Sequence, residues 1–359
     1  MSANTELNDY WTQQYSPQET PSDPLLNIEN IENVEPLDAQ FGVADPKTVP
    51  DALYAPVFGQ PEPLEFELEQ AEGDPAAVPP LHTYAILDAA KVPSLPELLA
   101  TSGLDHRCLF KGDAFDELKD VAPWIVRLEA DHKFTRNLFT RSKARWHLWD
   151  AEPGIYLRSR GTLDDMWAHF RKFTKVQDEN GKWFYFRFWE ILIGEGFEPD
   201  VIEQDVSLFG PLFLPNRPSV SSVIMYRVGL WKILKRTSDS ALHEKRWKFN
   251  AQSKKAITRL KVEADLHALA HVVMKSIPPE RGSQRKELRT RLVATGHLFL
   301  RMGYKQREHI AKLMTWEALL GPDFIETYAN GEVAQIVQSA NSAAVSIDRI
   351  KTLLQKDCS

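Results

Sequence analysis

The sequence predicts an α/β sandwich with a partly parallel sheet, an acidic tail before it and a small helical domain after it. Three observations lead there. Between residues 81 and 190, short apolar runs of strand length alternate with helical patterns, the rhythm of a layered α/β domain. From about Asn250 onward the apolar residues recur only at helical spacing. The first 80 residues contain 12 of the 23 prolines and show no sustained period of either kind.

That first segment is also strongly charged. It contains 16 Asp and Glu against one basic residue, Lys47, a net charge of −15. A segment of this composition buries too little apolar surface to offset its ordering entropy, so residues 1–80 are expected to be disordered. Within it, Tyr10, Trp11 and Tyr15 form an aromatic cluster that reads either as incidental or as a short docking element.

The central domain is expected over residues 81–216. HTYAILDA (82–89), HRCLF (106–110), PWIVRLE (123–129) and GIYLRS (154–159) read as strands, with a short helix from Pro96 to Ser102. Thr162 can cap a helix running to about Lys175, with Asp164 and Asp165 favouring its positive end. DENGK (178–182) reads as a turn, and WFYFRFW (183–189) as a last aromatic strand. Residues 217–240 are read as connecting strands and 241–359 as the helical domain. Its apolar stripes are Val262–Leu266–Leu269–Val273 and Leu288–Leu292–Phe299. A helix over 306–320 is followed by a fourth carrying Ile336, Ala340, Ala343, Ile347, Ile350 and Leu354.

Composition narrows the function classes. With only Cys108 and Cys358, far apart and in no CxxC pair, the chain offers neither a disulfide framework nor a cysteine zinc site, which suits a reducing cytoplasm. The start of the chain shows no secretory signal, and no apolar run is long enough to span a bilayer. No nucleotide-binding, hydrolase or metalloprotease motif is present, and no cofactor is implied. His267 and His271 lie one helical turn apart, but the position after the first is Ala268 and no third ligand is identifiable. A Cys108–His106 nucleophile pair is conceivable. Asp88, Glu129, Asp131 and Glu190 all fall near strand ends, where an acid–base pair would sit. Most such carboxylates instead cap helices or pair with arginines.

Between Lys232 and Lys312 there are 20 Lys and Arg against 7 Asp and Glu. Such a surface reads as solvated helix faces, as a dock for an acidic partner, or as a nucleic-acid footprint; no recognised nucleic-acid motif favours the last.

The ordered set YAILDAAK (84–91), SGLDHRCLFKG (102–112), VAPWIVRLE (121–129), GIYLRSRGTLDDMWAHFRKFTKV (154–176) and FYFRFWE (184–190) resembles the type VI secretion adaptor chaperones of the Tap/TEC family. His169 and Arg171 match that family's helix pattern, FRFWE its final strand, and FGPLF (209–213) its closing turn. After Glu190 the chain runs Ile-Leu-Ile-Gly and departs from the family pattern, and nothing carries over to the acidic tail.

The resemblance implies a cytoplasmic adaptor without catalytic activity. Its expected partners are a cognate secreted effector and the spike protein of the secretion tube, with neither a membrane span nor nucleic acid involved. The candidate contact residues are Trp183, Phe186, Phe188 and Trp189 in the aromatic strand, and Arg285, Lys286 and Arg289 in the basic helical region. Because side chains alternate along a strand, only one of the sets Phe184/Phe186/Phe188 and Trp183/Tyr185/Arg187/Trp189 can face the core of a one-sided sheet. Two rival readings are an α/β enzyme built on the strand-end carboxylates and a nucleic-acid-binding regulator with one continuous basic face.

Overall fold

A computed structural model describes residues 26–178, 180–191, 212, 219–227, 230–236, 251–277, 285–339 and 342–356. The chain divides into two compact units, residues 19–256 and a unit containing 257–359.

The first unit is built on a seven-stranded sheet. Its strands are β1 (Leu26–Ile31), β2 (His82–Asp88), β3 (His106–Cys108), β4 (Pro123–Leu128), β5 (Gly154–Ser159), β8 (Val220–Arg227) and β9 (Leu230–Arg236). In space they run β1-β9-β8-β5-β2-β4-β3. A separate two-stranded ribbon joins β6 (Lys175–Gln177) to β7 (Trp183–Tyr185). The helices are α1 (Asp51–Phe58), α2 (Glu65–Gln70), α3 (Leu95–Ser102), α4 (Asp113–Leu118), α5 (Lys133–Phe139), α6 (Leu163–Phe170) and α7 (Phe188–Ile191).

The mixed α/β class stands, but the partly parallel sheet does not. Among the described residues every pair of named strands is antiparallel, and the one parallel contact is an isolated bridge, Leu37↔Thr140. The expectation rested on continuous apolar runs alternating with helices. Such a run reports only that both faces of a strand are covered, not the direction of its neighbours. In β2 every residue after His82 is buried. Ala85 and Leu87 face a core shared with α1, α3 and α5, while Tyr84 and Ile86 point the other way and are equally buried. The path also skips. Strand β2 pairs with β4 and β5, and β3 is added outside β4, so a helix between two strands does not make them parallel neighbours.

Residues 26–80 belong to this unit, contrary to the expected disorder. Strand β1 pairs with β9 from Leu26↔Arg236 to Ile31↔Trp231, and Glu29 bonds Lys235 across that pair. In α1, Leu53 and Val57 are fully buried, each contributing about 1.5–3 kcal/mol of apolar burial. The Arg158 guanidinium donates to the carbonyls of Pro56 (3.0 Å) and Gly59 (2.5 Å). Arg160 forms a two-pronged pair with Glu67 at 2.7 and 2.9 Å. Local composition misjudged this stretch because its partners lie about 100 residues later in the chain. The aromatic cluster Tyr10, Trp11 and Tyr15 lies outside the described residues.

The second unit is helical: α8 (Ala251–Ser276), α9 (Arg285–Arg301), α10 (Arg307–Leu320), α11 (Phe324–Thr327), α12 (Glu332–Gln338) and α13 (Ala343–Lys356). The expected stripes form its core, with Leu266, Leu292, Phe299 and Ile350 fully buried. The helix expected over 336–354 is two helices. The first ends at Gln338, where Ser339 turns to an extended conformation. A β-carbon on Gly296 would lie 2.5 Å from Leu266 and from Met314, so glycine lets α9 approach α8 and α10.

Candidate protein-docking surface

The site begins with the junction between β2 and the segment after β7. Strand β2 ends at Asp88, whose side chain is completely buried. Its Oδ1 accepts from the Ala90 backbone N–H at 3.0 Å. Its Oδ2 accepts from the Trp189 indole N–H at 3.1 Å and from the Arg187 guanidinium. Arg187 reaches on to Glu190 at 3.0 Å. A buried carboxylate needs such partners, and here they come from a segment about 100 residues away.

This junction ends the expected aromatic strand early. The chain leaves β7 at Tyr185 and turns into α7. Phe186, Phe188 and Trp189 are consequently buried together, with Phe188 stacked on Phe170 at 5.7 Å. Three of the four aromatic residues expected to touch a partner are therefore core residues. Alternation holds only within the ribbon, and the turn into α7 places consecutive residues inside. Trp183 is exposed, at 59%, and Tyr185 joins it at 53%.

The ribbon that presents this pair is well supported. Asp178 Oδ1 accepts from the backbone N–H groups of Asn180 and Lys182, both at 2.9 Å, and Gly181 takes the left-handed conformation the turn requires (φ +81°). Val176 and Phe184 pair across the ribbon, leaving Trp183 and Tyr185 on the other face. Lys175 lies over the Tyr185 ring at 4.8 Å, and Phe110 packs against it at 5.6 Å. Phe110 follows β3, the strand at the sheet's edge. Beside it, Trp167 donates from its indole N–H to the Cys108 carbonyl at 2.7 Å. Arg107 and Arg171 both lie over the Trp167 ring, at 4.6 and 4.8 Å. Aromatic rings with cations beside them thus gather along this edge. Large, rigid, half-exposed aromatics with arginine neighbours are the composition of protein interfaces.

Several motif residues have structural duties behind this surface. Thr162 caps α6 as expected, and Asp165 returns the bond to the Thr162 backbone N–H. His169, nearly fully buried, donates from Nε2 to the Leu212 carbonyl at 2.9 Å between the rings of Phe170 and Phe173. Of the closing turn FGPLF, only Leu212 is among the described residues.

The structure separates the other candidates. Asp88 and Glu190 meet on one arginine, whereas Glu129 is exposed and Asp131 turns to Thr48, so the four carboxylates do not converge. Cys108 is buried, and burial pushes its thiol up to about 11, leaving it protonated near neutral pH. The His106 ring bonds the Leu104 carbonyl at 2.7 Å rather than the thiol. His267 and His271 sit half-buried on α8, and no group of three metal-binding side chains occurs among the described residues. Arg285 and Lys286 open α9 and Arg289 is half-buried there. On the same helix, Arg291 turns to the buried Glu317 of α10 at 3.2 Å, and Arg307 faces Asp265. Arg291 and Arg307 are thus engaged by carboxylates within the helical unit.

Tyr185, not among the expected contact residues although it shares an alternating face with Trp183, is exposed beside it because the strand ends there. The DENGK turn signal does locate the ribbon, and strand alternation from Trp183 then selects Tyr185.

A model of the family described as "domain of unknown function (DUF4123)" matches residues 83–205, the segment from β2 through the aromatic ribbon. No curated protein and no solved structure matches the chain. No helix among the described residues is long and apolar enough to cross a membrane.

Proposed function

We propose that the protein is a non-catalytic cytoplasmic adaptor that binds a cognate type VI secretion effector and helps load it onto the spike protein. The observation that carries this reading is the match of residues 83–205 to a domain family associated with effector-loading adaptors of that system. Two further features support it. The motif residues that suggested the resemblance are joined in space, with Asp88 at the end of β2 bound to Arg187 and Trp189, which follow β7. The matched segment also exposes the Trp183–Tyr185 pair with cations around it.

In this account the sheet and α7 hold the ribbon rigid. Its preset aromatic face then binds without a large ordering cost, which favours affinity. Truncating such anchors typically costs about 2 kcal/mol or more each. Changing Trp183 and Tyr185 together to alanine is therefore expected to lower effector or spike recovery by the tagged full chain more than tenfold. Both side chains are more than half exposed, so the melting temperature should stay within about 2 °C of the parent, the size of shift that small surface effects give. Undiminished recovery of both partners by the double variant would remove the ribbon from the account.

A further inference from the structure

A second surface lies on the loop between α5 and β5, at residues 141–150. Its sequence, RSKARWHLWD, places Lys143 and Arg145 next to Trp146. All three are exposed, Trp146 by 53%. Neither Lys143 nor Arg145 has a carboxylate partner among the described residues, whereas the neighbouring Arg141 is committed to Asp150 at 2.8 Å.

The loop is held at several points. The Arg141 N–H donates to the Leu37 carbonyl at 2.8 Å and the Leu148 N–H to the Asn137 carbonyl at 2.8 Å. The Ala144 N–H donates to Ser142 Oγ at 3.0 Å, and the Ser142 hydroxyl lies 2.6 Å from His147 Nδ1. Burial lowers the His147 pKa, which keeps the ring neutral near pH 7 and able to accept that hydroxyl proton. Trp149 anchors the far end against Tyr226 and Trp231 at 4.7 and 5.6 Å, over the β8–β9 hairpin. The aromatic ribbon instead lies beside β3, at the opposite side of the sheet.

A rigid loop that exposes a large aromatic beside two cations with no carboxylate partner among the described residues holds groups that gain little within the chain. We propose that this loop docks an acidic segment of a partner protein, with carboxylates meeting Lys143 and Arg145 and an apolar side chain covering Trp146. Charge selects a short acidic segment over a nucleic acid or an anionic membrane. Residues 19–256 contain 37 Asp and Glu against 28 Lys and Arg, so an extended polyanion meets repulsion beyond the loop. A short segment feels mainly the charges within about 10 Å, the screening length at ordinary salt. The inference rests on the loop's own geometry and does not depend on the secretion reading.

The test uses the full chain and a fluorescein-labelled 12-residue peptide alternating Glu with Leu and Phe, followed by fluorescence anisotropy. Binding is expected to weaken more than tenfold in the Lys143→Glu/Arg145→Glu variant and several-fold in Trp146→Ala, with melting temperatures unchanged. It is also expected to weaken as salt is raised. Equal binding by the charge-reversed variant would overturn the proposal. So would tighter, Lys143- and Arg145-dependent binding of a 12-nucleotide single-stranded DNA or of phosphatidylserine vesicles.

Discussion

Replacing Asp88 with alanine is expected to destabilise the first unit by up to about 3 kcal/mol, the cost of leaving a buried donor without its acceptor. The carboxylate is fully buried and receives the Arg187 guanidinium, the Trp189 indole N–H and the Ala90 backbone N–H. Alanine leaves the Trp189 indole N–H buried without an acceptor, at about 1–3 kcal/mol, while the N–H of the exposed Ala90 can turn to water and adds less. Arg187 is 42% exposed and can turn to water, so it adds less. Asp88→Asn keeps an acceptor oxygen and should cost less than alanine. Urea unfolding followed by tryptophan fluorescence measures both. A loss below about 1 kcal/mol in Asp88→Ala, the scale of an ordinary net hydrogen bond, would mean that the junction does not fix the ribbon. The consequence reaches function through packing: with Asp88 gone, α7 loses its anchor, and with it the support of Trp183 and Tyr185.

Gly154→Ala should be at least as damaging, for a steric reason. Gly154 opens β5 opposite Leu87 of β2. A β-carbon there would stand 1.8 Å from the Ile86 carbonyl oxygen and 2.9 Å from the Ile86 carbonyl carbon. These are backbone atoms of the central strand, so no rotamer change relieves the overlap. Overpacking in a close-packed interior typically costs about 1–3 kcal/mol and here should reach the top of that range or exceed it. For a unit of this size that is a fall of roughly 2–4 °C in melting temperature per kcal/mol. An unchanged melting temperature would contradict the β2–β5 register.

The sequence made local matters legible and long-range matters obscure. The capped helix after Thr162, the Asn-Gly turn and the strands over 82–89, 123–129 and 154–159 all follow from residue type and spacing. Strand direction did not, because a run such as Tyr84–Leu87 looks the same in any sheet covered on both faces. Order in residues 26–80 was hidden because Arg158 and Arg160, which satisfy that segment's carbonyls and Glu67, are remote in the chain. The aromatic site was half legible. Trp183 is exposed as a contact residue would need to be, while Phe186, Phe188 and Trp189 are buried, because Asp88's hold on Arg187 and Trp189 is a tertiary fact. Lys143, Arg145 and Trp146 stood in plain view as a basic-aromatic run, but exposure and lack of ion-pair partners are visible only in three dimensions.

The most direct test of the adaptor account is affinity capture with the tagged full chain from its native bacterium, with secretion genes expressed and the bound proteins identified by mass spectrometry. The captured proteins are then purified and remixed, and complex size is read by light scattering. The account predicts recovery of a spike protein together with a toxin-like protein, and a spike–effector complex that assembles only when this chain is added. Recovery of neither, or a spike–effector complex that forms equally well without the chain, would contradict it.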